Sequence, residues 1–170
     1  MSSVPAADQG PQLLALYDRA LPQVYGYLRV RVRDDAVAED LTADTFLAAV
    51  DAVKRRAVPE MSVAWLVGVA RHKLVDHWRK TAREERSLAL AHDDDDVVDD
   101  DELRFDRMRA HEVLAELAPQ HRAALTLRYL DGLPVPAVAE HLDRTVHATE
   151  ALLVRARNAF RKRYGGRCDD

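Results

Sequence analysis

Gln120–Tyr164, QHRAALTLRYLDGLPVPAVAEHLDRTVHATEALLVRARNAFRKRY, is the stretch whose reading decides the fold. Pro119 suits a first helical turn because it lacks the N–H that such a turn leaves unpaired. Leu125, Leu127 and Leu130 give the helix after it an apolar side, and Asp131-Gly132 accepts the positive φ of a helix stop. Pro134 and Pro136 mark a second helix, with Val135, Val138, Ala139 and Leu142 facing inward and the small Ala139 at the close approach. Asp143-Arg144 then forms a tight turn, and Thr145 caps a third helix. On that helix Thr149, Leu152, Leu153, Ala156 and Phe160 share a core stripe. His147, Ala151, Val154, Arg155 and Asn158 fall opposite, where a recognition helix meets the major groove. Arg155, Arg157, Arg161, Lys162 and Arg163 supply charge for phosphates. A helix-turn-helix is the sharper reading; a small bundle with a solvated basic end is the plainer one.

Composition agrees with helices. The 170 residues are rich in Ala, Leu, Val and Arg, with only 6 Gly and 6% aromatics, which favours an all-α fold of one or two small domains. No apolar run approaches the length of a membrane span. The N-terminus lacks a basic-then-apolar signal pattern, so a cytoplasmic protein without membrane insertion is expected. A single cysteine, Cys168, excludes an internal disulfide and makes a thiolate metal cluster implausible. The 7 histidines show no ligand pair at close helical spacing with a third partner, so neither metal nor cofactor is expected. No nucleophile–base constellation or phosphate loop appears, which argues against an enzyme.

The net charge of −4 conceals a partition. Residues 87–102, SLALAHDDDDVVDDDE, hold eight acids and no Lys or Arg; residues 1–86 carry +1 and residues 103–170 carry +3. The acid is thus confined to one segment, and a whole-chain pI near 6.0 does not count against DNA binding. Like charges this dense resist burial, and the glycine and alternating ligands of a calcium loop are absent, so the segment reads as a flexible linker.

Elsewhere the organisation is helical. Residues 1–10 read as disordered. Leu13, Leu16, Tyr17, Leu21, Val24, Tyr25 and Leu28 keep a helical rhythm that Pro22 either restarts or kinks. A helix over Ala36–Val53 follows, with Val37, Leu41, Thr45, Ala48 and Ala52 on one stripe and Asp40, Asp44, Phe46 and Asp51 off it. Lys54–Ser62 is a loop. A long helix runs from Val63 to about Arg86 and turns basic after Ala70. Its stretch Trp65–Lys80 mixes aromatic and basic residues, a combination suited to melted or single-stranded DNA. Trp65 and Trp78 have a plainer reading as core anchors, favoured for Trp65, which stands three residues beyond the cap-like Ser62. A further helical unit begins near Leu103. The layout is two small helical domains, residues 11–86 and 105–164, joined by an acidic linker at 87–104 and followed by a tail at 165–170.

AEDLTADTFLAAV (38–50), SVAWLVGVARHKLVDHWRK (62–80), LAPQHRAALTLRYLDGL (117–133) and the helix-turn-helix, in that order, resemble the extracytoplasmic-function (ECF) sigma factors of the sigma-70 family, which hold only regions 2 and 4. Each motif is moderately specific, and the four in order over residues 11–164 are specific. The resemblance implies a sigma factor that binds core RNA polymerase, recognises −35 and −10 elements and assists melting. Asp40, Leu41, Asp44, Thr45, Phe46 and Leu47 would meet the β′ clamp helices. Lys54, Arg55, Arg56, Arg71, His72, Lys73, His77, Trp78, Arg79 and Lys80 would engage the −10 element, including its melted strand. Arg144, Thr145, His147, Ala148, Glu150, Ala151, Val154, Arg155 and Arg157 would face the −35 duplex, with this region packed on the β flap. The acidic linker would follow the RNA exit channel, where a basic wall attracts it; an inert spacer serves equally. A separate anti-sigma factor is also implied.

Departures from the family pattern carry information. His72 stands where relatives often have Asn, and Gly68 where they often have Arg. The third helix opens with His147, Ala148 and Glu150 rather than a basic cluster. Two other functions fit less of the chain: a helix-turn-helix regulator with an N-terminal sensor, and a sigma-like adaptor that binds polymerase without reading DNA. A sensor would need a pocket or phosphoacceptor in the N-terminal half, where this chain has a basic-aromatic helix.

Overall fold

The computed structural model describes residues 9–88 and 107–165. The acidic linker, Cys168 and the N-terminal residues 1–8 lie outside the described residues. Those described form seven α-helices with no strand: α1 Gln9–Val32, α2 Asp35–Lys54, α3 Val63–Leu88, α4 Arg107–Glu116, α5 Pro119–Leu125, α6 Val135–His141 and α7 Val146–Gly165. The chain divides into two compact units between Leu74 and Val75, inside α3.

In the first unit α1 packs on α2. Leu13, Leu16, Ala20, Val24 and Leu28 recur at helical spacing and are buried, so α1 presents one apolar stripe. Pro22 sits within an unbroken α1. It lies on the exposed side, as does Asp18, whose carbonyl would otherwise bond the missing N–H, so the lost bond falls where the helix faces solvent. The turn into α2 is made by Arg33, at φ 56°, and by Asp34, whose carboxylate accepts from the Val37 N–H at 3.2 Å. Arg29 pairs with Asp35 across this turn.

The buried residues of α2 are Ala38, Leu41, Thr42, Thr45 and Ala49. This stripe is rotated from the expected Val37–Leu41–Thr45–Ala48–Ala52. In a helix so rich in Ala and Thr the hydrophobic contrast between neighbouring positions is small. The two buried threonines satisfy themselves, each hydroxyl donating to the carbonyl four residues back, Ala38 and Leu41, at 2.7 Å.

The second unit holds the helix-turn-helix. Arg122 on α5 closes the end of α4: its guanidinium donates to the carbonyls of Leu114 at 3.0 Å, Ala115 at 2.5 Å and Leu117 at 3.1 Å. These are carbonyls that a helix end leaves without partners. After Leu125 the chain widens into a π-helical turn, Thr126–Leu130, with the Asp131 N–H donating to the Thr126 carbonyl at 3.0 Å. The widened turn buries Leu125 and Leu127 but leaves Leu130 42% exposed, so the expected apolar side loses its last member. Gly132, at φ 67°, then ends the helix as anticipated.

Pro134 precedes α6, in which Val138 and Ala139 are buried. Asp143 adopts φ 52°, and Thr145 caps α7 by accepting from the Ala148 N–H at 3.1 Å. Thr149, Leu152, Leu153 and Ala156 are buried along α7, and Phe160 packs on the cluster of Leu117, Leu125 and Ala156. Fully burying such aliphatic side chains contributes about 1.5–3 kcal/mol each. The far end of α7 is tied to α4 by Arg109 to the Tyr164 carbonyl and Arg163 to the Glu116 carbonyl.

Candidate nucleic-acid interface

Three surfaces carry the residues expected to act. On α2, Asp40, Asp44 and Leu47 are exposed, Leu47 to 66%. Phe46 is half-buried against Tyr17 of α1, ring edge to ring face, with centroids 4.9 Å apart. Leu41 and Thr45 do not belong to this surface. They point to the core, 6% and 0% exposed, because they share the helical stripe that meets α1. In their place stands an open apolar groove of about 490 Å³ between α1 and α2, lined by Tyr17, Leu21, Tyr25, Thr42, Ala43 and Phe46 and edged by Glu39. Tyr17 and Tyr25 were legible as apolar positions of α1, but their place in a groove depends on how α1 and α2 meet.

The α2–α3 loop and α3 form the second surface. Lys54, Arg55 and Arg56 are exposed, and Arg56 takes φ 55°, which turns the chain out of α2. Ser62 caps α3 by accepting from the Trp65 N–H at 3.1 Å. His72 and Lys80 are exposed; Arg71, Lys73, His77 and Arg79 are half-buried. Trp78 is 1% exposed and offers no stacking face, whereas Trp65 is half-buried, so the aromatic that anchors the core is the second one. Trp78 shares its face of α3 with the buried Leu74, Val75 and Ala82.

Within the second unit, Arg79 approaches Asp143 at 3.7 Å, and the Gln120 side-chain oxygen accepts from Arg86 at 3.3 Å and from Arg144 at 3.2 Å. Burial lowers the Arg144 pKa, with Arg86, Arg155 and Arg79 adding repulsion. Burial also lowers the His77 pKa, assisted by Arg122 and Lys80 and opposed by Glu84. Gln120, an unremarkable residue in the sequence, thus holds two guanidiniums.

The third surface is α7. Thr145, His147, Glu150, Ala151 and Val154 are exposed, Val154 to 48%; Ala148, Arg155 and Arg157 are half-buried. Arg157 donates to the Tyr129 hydroxyl at 3.0 Å, so the π-turn presents an exposed tyrosine that sets the position of an α7 arginine. Val146, 44% exposed at the start of α7, was not among the expected contacts. Among the described residues no group of three or more His, Cys, Asp or Glu is placed to hold a metal, and no helix is long and apolar enough to cross a membrane.

These surfaces fall on segments that match known families. The Sigma-70 region 2 family model matches residues 16–84 and the Sigma-70 region 4 model matches residues 107–160. The chain belongs to the sigma-70 family, in its ECF branch. It is 32% identical over 147 residues to the ECF RNA polymerase sigma factor BldN of Streptomyces coelicolor, covering 83% of this chain and 56% of that protein. It is 30% identical over 162 residues to the ECF RNA polymerase sigma factor SigK of Mycolicibacterium vanbaalenii, covering 89% of this chain and 81% of that one. In fold it is similar to the sigma factor RpoE of Bartonella quintana, solved with the anti-sigma factor NepR. The TM-score there is 0.53 at 20% identity, over 87% of this chain and 93% of that chain. The N-terminal half is therefore a sigma region 2 and not a sensor domain.

Proposed function

We propose that this protein directs promoter-specific initiation by joining core RNA polymerase, holding the −35 element with α7 and opening the −10 element along α3. The observation that carries this is the presence, in one chain, of an acidic-apolar groove on α1–α2, a cation-lined α3 and a helix-turn-helix. A DNA-binding regulator needs only the last of these.

On the polymerase side, Asp40, Asp44, Phe46 and Leu47 form the contact with the β′ clamp helices, and the groove at Tyr17 and Tyr25 extends it. Exposed acids around an apolar floor suit a basic, amphipathic partner helix. On the DNA side, Lys54, Arg55, Arg56, Arg71, His72, Lys73, Arg79 and Lys80 supply phosphate contacts along the opening strand. Taking a base out of the stack costs a few kcal/mol, offset by those contacts. The second unit also meets the β flap. A separate anti-sigma factor controls the protein; the Bartonella neighbour is itself in complex with one. Acting this way, the protein performs no catalysis itself.

Run-off transcription with core polymerase and this protein on genomic fragments tests the reading. Start sites with a shared upstream motif are the expected result. Absence of any complex with core polymerase would sink it.

A further inference from the structure

The first nine residues of α7, Val146–Val154, contain no Lys, Arg, Asn or Gln. Those side chains make the bidentate readings of guanine and adenine in a major groove. What α7 does expose there is Val146, 44% exposed at its start, and a stripe of His147, Glu150, Ala151 and Val154 at the spacing of neighbours on one helix face. The threonines beside it are spent internally. The Thr145 hydroxyl oxygen accepts from the Ala148 N–H, and the fully buried Thr149 hydroxyl donates to the Thr145 carbonyl at 2.9 Å. Along the stripe two exposed apolar side chains, one carboxylate and one imidazole are left to meet base edges, with Val146 a third apolar side chain at the start of the helix.

Glu150 is the informative member. A carboxylate directed at DNA is repelled by every phosphate, so it lowers affinity unless it finds a donor in the groove. Cytosine offers that donor, its N4 amino group, with no acceptor on its own major-groove edge. Adenine also has an amino group, but its N7 acceptor lies beside it and repels a carboxylate. Ala151 beside it and Val154, one turn on and 48% exposed, present methyl groups to the groove, where the matching surface is the C5-methyl of thymine. From His147 to Val154 the helix rises about 10 Å, or about three base-pair steps at 3.4 Å each.

We infer that α7 reads a −35 element in which a cytosine, recognised by Glu150, and thymines, recognised through their methyls by Ala151 and Val154, lie within about three successive base-pair steps. This rests on the proposed placement of α7 in the −35 major groove. Specificity then comes from hydrogen-bond acceptance and apolar contact. The cations beginning at Arg155 hold the backbone and leave sequence to the cation-free start of the helix.

The test uses holoenzyme, core polymerase with the full chain. It is presented with duplexes carrying eight randomised base pairs upstream of a −10 segment taken from a mapped start site. Wild type is expected to enrich a cytosine with neighbouring thymines. In Glu150→Ala the preference at the cytosine falls by about 5- to 150-fold, the range one mismatched pair spans, while the thymines stay selected. Glu150→Asp tests whether carboxylate reach matters and is expected to recover part of the preference. Replacing each selected thymine with deoxyuridine, which removes only the methyl, weakens wild-type binding by about fourfold per contacted methyl. If Glu150→Ala leaves the selected sequence unchanged and deoxyuridine has no effect, the inference is overturned while the −35 reading stands. If wild type selects nothing upstream although it binds core and the −10 segment, the −35 reading itself falls, and the inference with it.

Discussion

In α3 the cations begin at Arg71 and alternate with the buried Leu74, Val75, Trp78 and Ala82, whereas α7 keeps its first nine residues free of Lys and Arg and gathers its cations from Arg155 onward. Both helices are basic by composition. Core residues run the length of both, so the difference lies in where the cations stand: spread through α3 from Arg71, gathered in the second half of α7. Interleaving fixes each cation of α3 against a rigid face, which suits a backbone that has to be held along its length. In the proposed reading, segregation in α7 leaves the cation-free turns to discriminate bases while the cationic turns bind any sequence.

The strongest way to break the comparison is at Trp78. Trp78→Ala should lower stability by about 3–5 kcal/mol, as for a large buried aromatic, seen as a fall in melting temperature of the free protein. An unchanged melting temperature with impaired promoter opening would instead make Trp78 a stacking platform and remove the core from α3's design. On α7, Arg155→Ala should weaken −35-dependent transcription more than Arg163→Ala, because Arg163 is turned toward the Glu116 carbonyl at the far end. Loss of one phosphate contact at Arg155 should also reduce the salt slope of binding by about one, with affinity falling uniformly across sequences. Equal effects of the two substitutions would mean that α7 lies differently on DNA.

Smaller effects sharpen the same contrast. Thr145→Ala removes the cap that starts the cation-free turns and should cost about 1 kcal/mol, measurable by denaturant unfolding. Thr145→Ser should recover most of it. At His77 burial, with Arg122 and Lys80, lowers the folded-state pKa below 6.5, so the unfolded chain binds the proton more readily. Stability from this group is complete above 6.5 and is lost as pH falls through the window just beneath it. His77→Gln should flatten that part of the melting-temperature profile; a profile equally steep in the variant would place the titration elsewhere.

Much of the helix-turn-helix was legible because its decisive residues act locally. Asp143 tolerates a left-handed turn, Thr145 caps whatever follows it, and Gly132 accepts positive φ, none of which depends on distant contacts. The core stripe of α7 was legible for a related reason, since large apolar residues alternate there with charge. Sequence failed where the decision was tertiary. One extra residue in the turn at Thr126–Leu130 moved Leu130 outward without any signature in composition. Which tryptophan would be buried depended on what packs on α3. Leu41 and Thr45, carried over as polymerase contacts, proved to be core because the short-chain pattern of α2 could not fix its rotation. The groove at Tyr17 was invisible for the same reason: its two walls are remote in sequence.

The three bonds from Arg122 to the end of α4 bear on mechanics as well as on satisfied carbonyls. Burial lowers the Arg122 pKa, but from so high a starting value that the guanidinium stays protonated around neutrality, so this corner neither slackens in mild acid nor stiffens in mild base. A pull delivered at the start of α4 therefore reaches α5 through a riveted elbow rather than a loose hinge.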